Sequence, residues 1–276
     1  MDIWEAIWKS IVLGTVQGLT EFLPVSSSGH LVFMQRALGF QMEGMSMTFV
    51  NVMLHLGTLV AVIAVFWRDI LALFKKPLWP LLMLVVATVP AGIVGLLFED
   101  EIDALFAGQN GLLYLSLCFA VTALELVVCE YAVARRKKTY PLGWRSTVPM
   151  GLIQAVALFP GISRSGSTIV AGTVAGGRTK EVAKFSFLMS IPIILGSVAV
   201  ELWHVISPDE GTVLAVGTPE IVGMVCGVVF SAVAGFFAIK VMLKVIAKAN
   251  YKWFALYLVL LSLTGFWLNA AGIIPV

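Results

Sequence analysis

Charge is what this sequence has least of. Of its 276 residues only 12% are Asp, Glu, Lys or Arg, and 18 basic against 16 acidic residues leave a net charge of +2. Soluble domains carry about 25% charged residues, so a chain that is 59% hydrophobic with a mean hydropathy of +0.97 falls outside the globular range and inside the membrane range. Cysteine is also scarce. Cys118, Cys129 and Cys226 lie far apart in apolar runs, without metal-like or redox-like spacing, and are expected to be small packing residues. There is no Walker loop, and the first residues carry Asp2, Glu5 and Lys9 rather than a basic segment before a small-residue cleavage site, so no removable signal peptide is expected.

What the chain has instead is long apolar runs. Six of them, at 48–67, 78–98, 111–134, 185–206, 213–239 and 253–268, are long enough to approach or exceed the roughly 20 residues that cross a bilayer. The few basic residues are concentrated between alternate runs. Arg68, Lys75 and Lys76 follow the first; Arg135, Arg136, Lys137, Lys138 and Arg145 follow the third; Arg178, Lys180 and Lys184 precede the fourth; Lys240, Lys244, Lys248 and Lys252 separate the last two. Only Lys9, Arg36 and Arg164 fall elsewhere. The positive-inside rule makes these loops cytoplasmic. Glu99, Asp100, Glu101 and Asp103 in one intervening loop, and Asp209 and Glu210 in another, then lie outside, as do both termini. Topology thus accounts for the basic clusters, and no nucleic-acid footprint is left over.

The segment QGLTEFLPVSSSGHLV at 17–32 has an echo in QAVALFPGISRSGSTIV at 154–170, with one extra residue, Gly161, in the second copy. Each copy precedes three apolar runs, which suggests a duplication. The loop charges require each copy to enter and leave on one face, and the two faces are opposite. The expected fold is therefore an all-α integral membrane protein with six transmembrane helices plus two re-entrant helix hairpins in an inverted-topology repeat. Residues 1–138 form one half, with its hairpin at about 3–40, and residues 139–276 the other, with its hairpin at about 146–178. Irregular backbone at membrane depth is tolerated only where protein or a water-filled cavity surrounds it, and broken helices of this kind build binding sites.

Pro24 and Pro160 forbid continuous helices, and Ser26 and Ser163 are placed to cap the helices that restart. Two helix N-termini brought together make an anion site suited to phosphate. Arg164 at such a position needs a counter-charge, either a bound anion or a buried acid such as Glu21 or Glu125. Glu21 lies one helical turn after Gln17 and can serve as general base or metal ligand. Ser27 and His30 are three apart and can face one cavity, where a hydroxyl beside a base and a carboxylate makes an activated nucleophile. Against this stand plainer readings, in which the serines only cap helices and His30 is a satisfied core residue. Asn51 and His55, one turn apart on a span, are expected chiefly to hydrogen-bond between helices. Glu125, Glu130 and Glu201 are weaker candidates, and His204 is expected at the interface.

The motifs QGLTEFLPVSSSGH and PGISRSGST resemble the signatures of the bacterial undecaprenyl-diphosphate phosphatases of the bacitracin-resistance type. The likeness extends along the chain through span number and loop charge. Gln17 and Glu21 occupy the first motif's paired acid or amide positions, followed by Pro24, Val25, Ser26, Ser27, Ser28, Gly29 and His30. Pro160, Gly161, Ser163, Arg164, Ser165 and Gly166 match the second.

The resemblance implies hydrolysis of undecaprenyl diphosphate to the monophosphate carrier used in peptidoglycan and other envelope glycan synthesis. It also implies a divalent cation, Mg2+ or Ca2+, with Glu21 a candidate ligand, and a site in the bacterial inner membrane open to the outer face. On this expectation Glu21, Ser27, His30 and Arg164 carry the catalysis, while Gln17, Ser26, Ser28, Gly29, Ser163, Ser165, Gly166 and Thr168 line the substrate site. The expected partners are a polyprenyl diphosphate lipid and membrane lipids, with a homodimer left open. The competing class is a lipid-phosphate flippase or transporter, since inverted repeats with broken helices are transporter architecture. An intramembrane serine protease accounts for neither Arg164 nor the second turn.

Overall fold

The computed structural model describes residues 2–42, 44–206, 216–246 and 251–272, and these form ten α-helices. In chain order they are α1 (Ile3–Phe22), α2 (Ser27–Leu38), α3 (Met47–Leu73), α4 (Trp79–Ala107), α5 (Gly111–Arg135), α6 (Trp144–Val156), α7 (Arg164–Val174), α8 (Thr179–Ile206), α9 (Thr218–Ile246) and α10 (Lys252–Ala271). Among the described residues no β-strand forms, and a lone bridge joins Tyr140 to Gly177. Six helices, α3, α4, α5, α8, α9 and α10, are long and apolar enough to cross a membrane. Many of their large apolar side chains, Leu96, Leu124, Phe237 and Leu263 among them, are exposed rather than buried. The outer surface is thus a hydrocarbon-facing one.

Each expected span falls on one of these helices, and most of the helices overrun it. α8, for instance, begins at Thr179, six residues before its apolar run at 185. An apolar run marks the part of a helix immersed in lipid, whereas the backbone hydrogen-bond ladder continues into polar residues such as Lys180, Glu181 and Lys184. The expected start of the fifth span at 213, the acidic pair Asp209 and Glu210, and Lys248 lie outside the described residues.

Small residues set the closest helix contacts. Ser10, Gly14 and Gly18 on α1 recur every fourth residue and face Gly223, Gly227, Ser231 and Gly235 on α9, at the same spacing. A Cβ on Gly14 or Gly18 would run into the α9 backbone at Gly227 or Ser231. Lipid gives no hydrophobic drive for helices to associate, so close backbone approach through small residues supplies the packing energy. Ser231 Oγ also donates to the Leu54 carbonyl of α3 at 2.7 Å. Elsewhere Gly151 of α6 rests on Ala87 of α4, and Gly265 of α10 on Ser116 of α5. Phe22, Phe66 and Phe187 pack together in the core between α1, α3 and α8.

The two ends of the bundle differ in charge. At one end Lys184 pairs with Asp69 at 2.5 Å, tying α8 to α3, and Arg136 donates to the carbonyls of Thr173 and Gly177, tying the end of α5 to the end of α7. A Cβ on Gly177 would lie 3.2 Å from Ser146, so α6 begins beside the point where α7 ends. At the other end Thr48 donates to Asp103, and Arg36 donates to the Phe106 carbonyl, joining the end of α2 to the end of α4. α1 starts there too, with Ala6 against Gly223 near the start of α9. The turn between the short helices α1 and α2 meets the one between α6 and α7, where the Gly161 amide donates to Ser26 Oγ at 3.1 Å.

Candidate active site

The first turn follows α1, whose C-cap Leu23 is extended ahead of Pro24. Ser26 then takes φ 67° and ψ 96°, a positive φ rare outside glycine and costing on the order of 1–3 kcal/mol. Four contacts hold it. Its Oγ accepts from the amides of Gly29 (3.4 Å) and Gly161 (3.1 Å), and its carbonyl accepts from the amide (3.2 Å) and the Nδ1 (2.7 Å) of His30. Ser27 is thereby fixed as the first residue of α2. In the second turn Gly161 supplies φ +96°, and Thr122 Oγ1 donates to its carbonyl while accepting from the Ser163 amide, each at 3.0 Å. Ser163 caps α7 by accepting from the Gly166 amide at 3.1 Å, and Arg164 becomes that helix's first residue.

Ser27 and Arg164 are thus each the first residue of a helix, and both converge on Glu21. Its Oε1 is ion-paired with the Arg164 guanidinium. Its Oε2 accepts from Ser27 Oγ at 2.5 Å and Gln17 Nε2 at 3.0 Å, and lies 3.4 Å from His55 Nε2. Glu21 is buried, with its side chain 4% exposed, whereas Arg164 is 16% exposed and His55 25%, so the latter two face the cavity mouth. The turns are also stitched directly, since Ser165 Oγ donates to the Leu23 carbonyl at 3.0 Å. Among the described residues the amides of Ser27, Ser28, Arg164 and Ser165 have no backbone or side-chain acceptor, as expected of helix N-termini. These donors surround a cavity of about 200 Å³ lined by both turns and by Asn51, His55 and Ile193.

Ser26, Ser27, Ser28, Ser163, Arg164 and Ser165 all line this cavity with Glu21. Other expected residues stand behind it. Gln17 orients Glu21. A Cβ on Gly29 would lie 2.7 Å from the Phe119 ring and 2.9 Å from Gly161 Cα, so Gly29 permits the turns to touch. Gly166 is likewise pressed against Ser163 and Pro24, and Thr168 Oγ1 bonds to the Arg164 carbonyl and Ser186 Oγ, both at 2.7 Å.

His30 requires a correction. It does not share the Ser27 cavity, because its Nδ1 donates to the Ser26 carbonyl, its Nε2 accepts from Tyr257 Oη at 2.6 Å, and its ring stacks on Tyr257. The counter-charge of Arg164 is Glu21, while Glu125 instead accepts from Ser167 Oγ at 2.6 Å.

The residue underrated by sequence is His55. A carbonyl can only accept, so its Nδ1 carries the proton bonded to the Asn51 carbonyl at 2.7 Å, and Nε2 faces Glu21 Oε2 at 3.4 Å. Thr48, Asn51 and His55 form a polar stripe along an otherwise apolar span, and that stripe was the available signal. Among the described residues Glu21 is the one carboxylate on the cavity wall, and no group of three or more His, Cys, Asp or Glu side chains gathers as a metal cage. One carboxylate with several hydroxyls does suit a hard cation that keeps its waters and is bound mainly by substrate phosphates.

The family model described as "Bacitracin resistance protein BacA" matches residues 10–264. An undecaprenyl-diphosphatase of Halothermothrix orenii is 38% identical over 256 residues, covering 91% of this chain and 93% of the relative. One from Carboxydothermus hydrogenoformans is 37% identical over 266 residues, covering 96% and 98%. Another from Methanobrevibacter smithii is 38% identical over 282 residues, covering 93% and 94%.

Proposed function

The chain belongs to the bacitracin resistance protein BacA family, and from that premise we propose that it hydrolyses undecaprenyl diphosphate to undecaprenyl phosphate and inorganic phosphate. This recycles a lipid carrier for peptidoglycan and other envelope glycans and confers bacitracin resistance. The carrying observation is the Ser27 hydroxyl held 2.5 Å from a Glu21 carboxylate, with Arg164 and two helix N-termini around them.

In the proposed reaction the diphosphate enters among the unpaired amides, and Arg164 turns its fork from Glu21 to the phosphate oxygens. Glu21 Oε1 is then freed of its ion pair. Ser27 Oγ attacks the terminal phosphorus, its proton passes to Glu21, and the anhydride bond breaks with its electron pair leaving on undecaprenyl phosphate. Water then cleaves the phosphoserine, with Glu21 and His55 Nε2 placed to carry the protons. The amides and Arg164 stabilise charge that develops on the transferring phosphoryl group. Mg2+ or Ca2+, held by substrate and Glu21, would neutralise phosphate charge. His30 and Tyr257 hold the Ser26 backbone so that Ser27 is aimed.

The same proposal places the protein in the bacterial inner membrane, with the basic end cytoplasmic, both termini outside and the cavity open outward. It takes the halves 1–138 and 139–276 as an inverted repeat with re-entrant hairpins. Reciprocal packing supports this, for α1 lies on α9 as α6 lies on α4, and α3 meets α9 as α8 meets α4. The architecture also suits a flippase. Detergent-purified protein given undecaprenyl diphosphate separates the two. Release of inorganic phosphate is expected, and its absence in protein that moves the lipid across reconstituted vesicles would favour the transporter.

A further inference from the structure

The catalytic cavity continues into a second one. A groove of about 340 Å³ runs between α4 and α8, and shares Leu158, Ile193 and Ser197 with the wall of the first. Its chemistry is the opposite of the turns. Among the described residues it is lined by no basic side chain, and its rim carries Glu99 and Asp103, which repel an anionic head.

The gap is made by glycine: a Cβ added to Gly92 or Gly196 would meet no atom within 4 Å, and one on Gly95 only Leu158, at 4.0 Å. The corresponding seam of the other half, between α3 and α9, is shut. There a Cβ on Gly57 would lie 2.8 Å from the Ser231 Cβ, and Ser231 bonds across to Leu54. One of two equivalent seams is thus closed by contact, and the one beside the catalytic cavity is open.

Resting on the phosphatase reading above, we propose that the α4–α8 groove is the binding site for the first isoprene units of the polyprenyl tail. A volume near the lower end of small-molecule pockets, about 300 Å³, holds only the start of a long chain. The remainder passes sideways into lipid, so the protein need not enclose the whole tail. The groove then fixes the substrate's register, setting the terminal phosphorus over Ser27 while the acids at its rim keep the head from sliding along it.

The test compares phosphate release from farnesyl diphosphate and dimethylallyl diphosphate by wild type, Gly92→Leu and Gly196→Leu in detergent. The two substitutions fill the groove from opposite walls without touching the turns, and the dimethylallyl rate reports whether the folded site survives. Wild type should prefer the farnesyl substrate in kcat/KM. In both variants that value should fall about tenfold or more for farnesyl while changing less than about threefold for dimethylallyl diphosphate. Unchanged values for both substrates would mean that the groove faces bulk lipid chains and would overturn the assignment. An equal fall for both would overturn it too. No release from either substrate by wild type would instead contradict the phosphatase reading itself.

Discussion

At the scale of single residues, Glu21 is the point where the two turns become one site. Arg164 from the second half takes one of its oxygens and Ser27 from the first takes the other. A buried acid with one cation and two hydrogen-bond donors is well compensated without substrate, so Arg164 is both a stabiliser of the resting state and the expected phosphate clamp. Arg164→Lys keeps charge but loses the planar fork, and should lower turnover by at least tenfold. Arg164→Ala should abolish most turnover and also lower the melting temperature, because it leaves Glu21 buried with only neutral or partial partners. A variant that melts early yet turns over normally below its transition would make Arg164 scaffold alone. The serines, Glu21 and Arg164 were legible in sequence because their cost in an apolar chain demands a reason. His30 and His55 were not, because each ring's direction depends on a distant partner, Tyr257 for one and Glu21 for the other, that spacing along the chain does not reveal.

At the scale of elements, the turns are held by backbone conformations that few residues adopt. Gly161 sits at φ +96°, and an added Cβ would lie 2.6 Å from Cys118 Cβ and 2.9 Å from the Leu115 carbonyl. Gly161→Ala should therefore cost on the order of 1–3 kcal/mol in strain. It should lower the thermal midpoint and reduce turnover through displacement of Ser26 Oγ, which accepts the Gly161 amide. An unchanged midpoint and rate would show that the turn tolerates repacking. The helices themselves were readable from apolar length, and the breaks from Pro24 and Pro160. The α1 and α9 seam was not, although Gly14, Gly18, Gly223 and Gly227 stand four apart, because small residues mark a contact without naming the helix on the other side.

At the scale of the whole molecule, the proposed topology has one end of the bundle inside the cell and the other outside. After replacement of Cys118, Cys129 and Cys226, a cysteine at Gly108 should react with an impermeant thiol reagent on intact cells and one at Thr139 should not. Equal labelling would contradict the inverted arrangement. Helix number was readable from the apolar runs, and the meeting of the turns was expected from the repeated motif, although the contact joins segments more than 130 residues apart. The meeting of the turns in one site is tested most directly by phosphate release from undecaprenyl diphosphate in a cycle of Ser27→Ala, Arg164→Ala and the double variant, each confirmed folded by its melting curve. If both residues act on the same phosphoryl group, Ser27→Ala should lose on the order of 10³-fold or more, and the double variant should be little worse than Ser27→Ala alone. Near-wild-type release by Ser27→Ala, or losses that simply multiply in the double variant, would contradict a single site shared by the two halves.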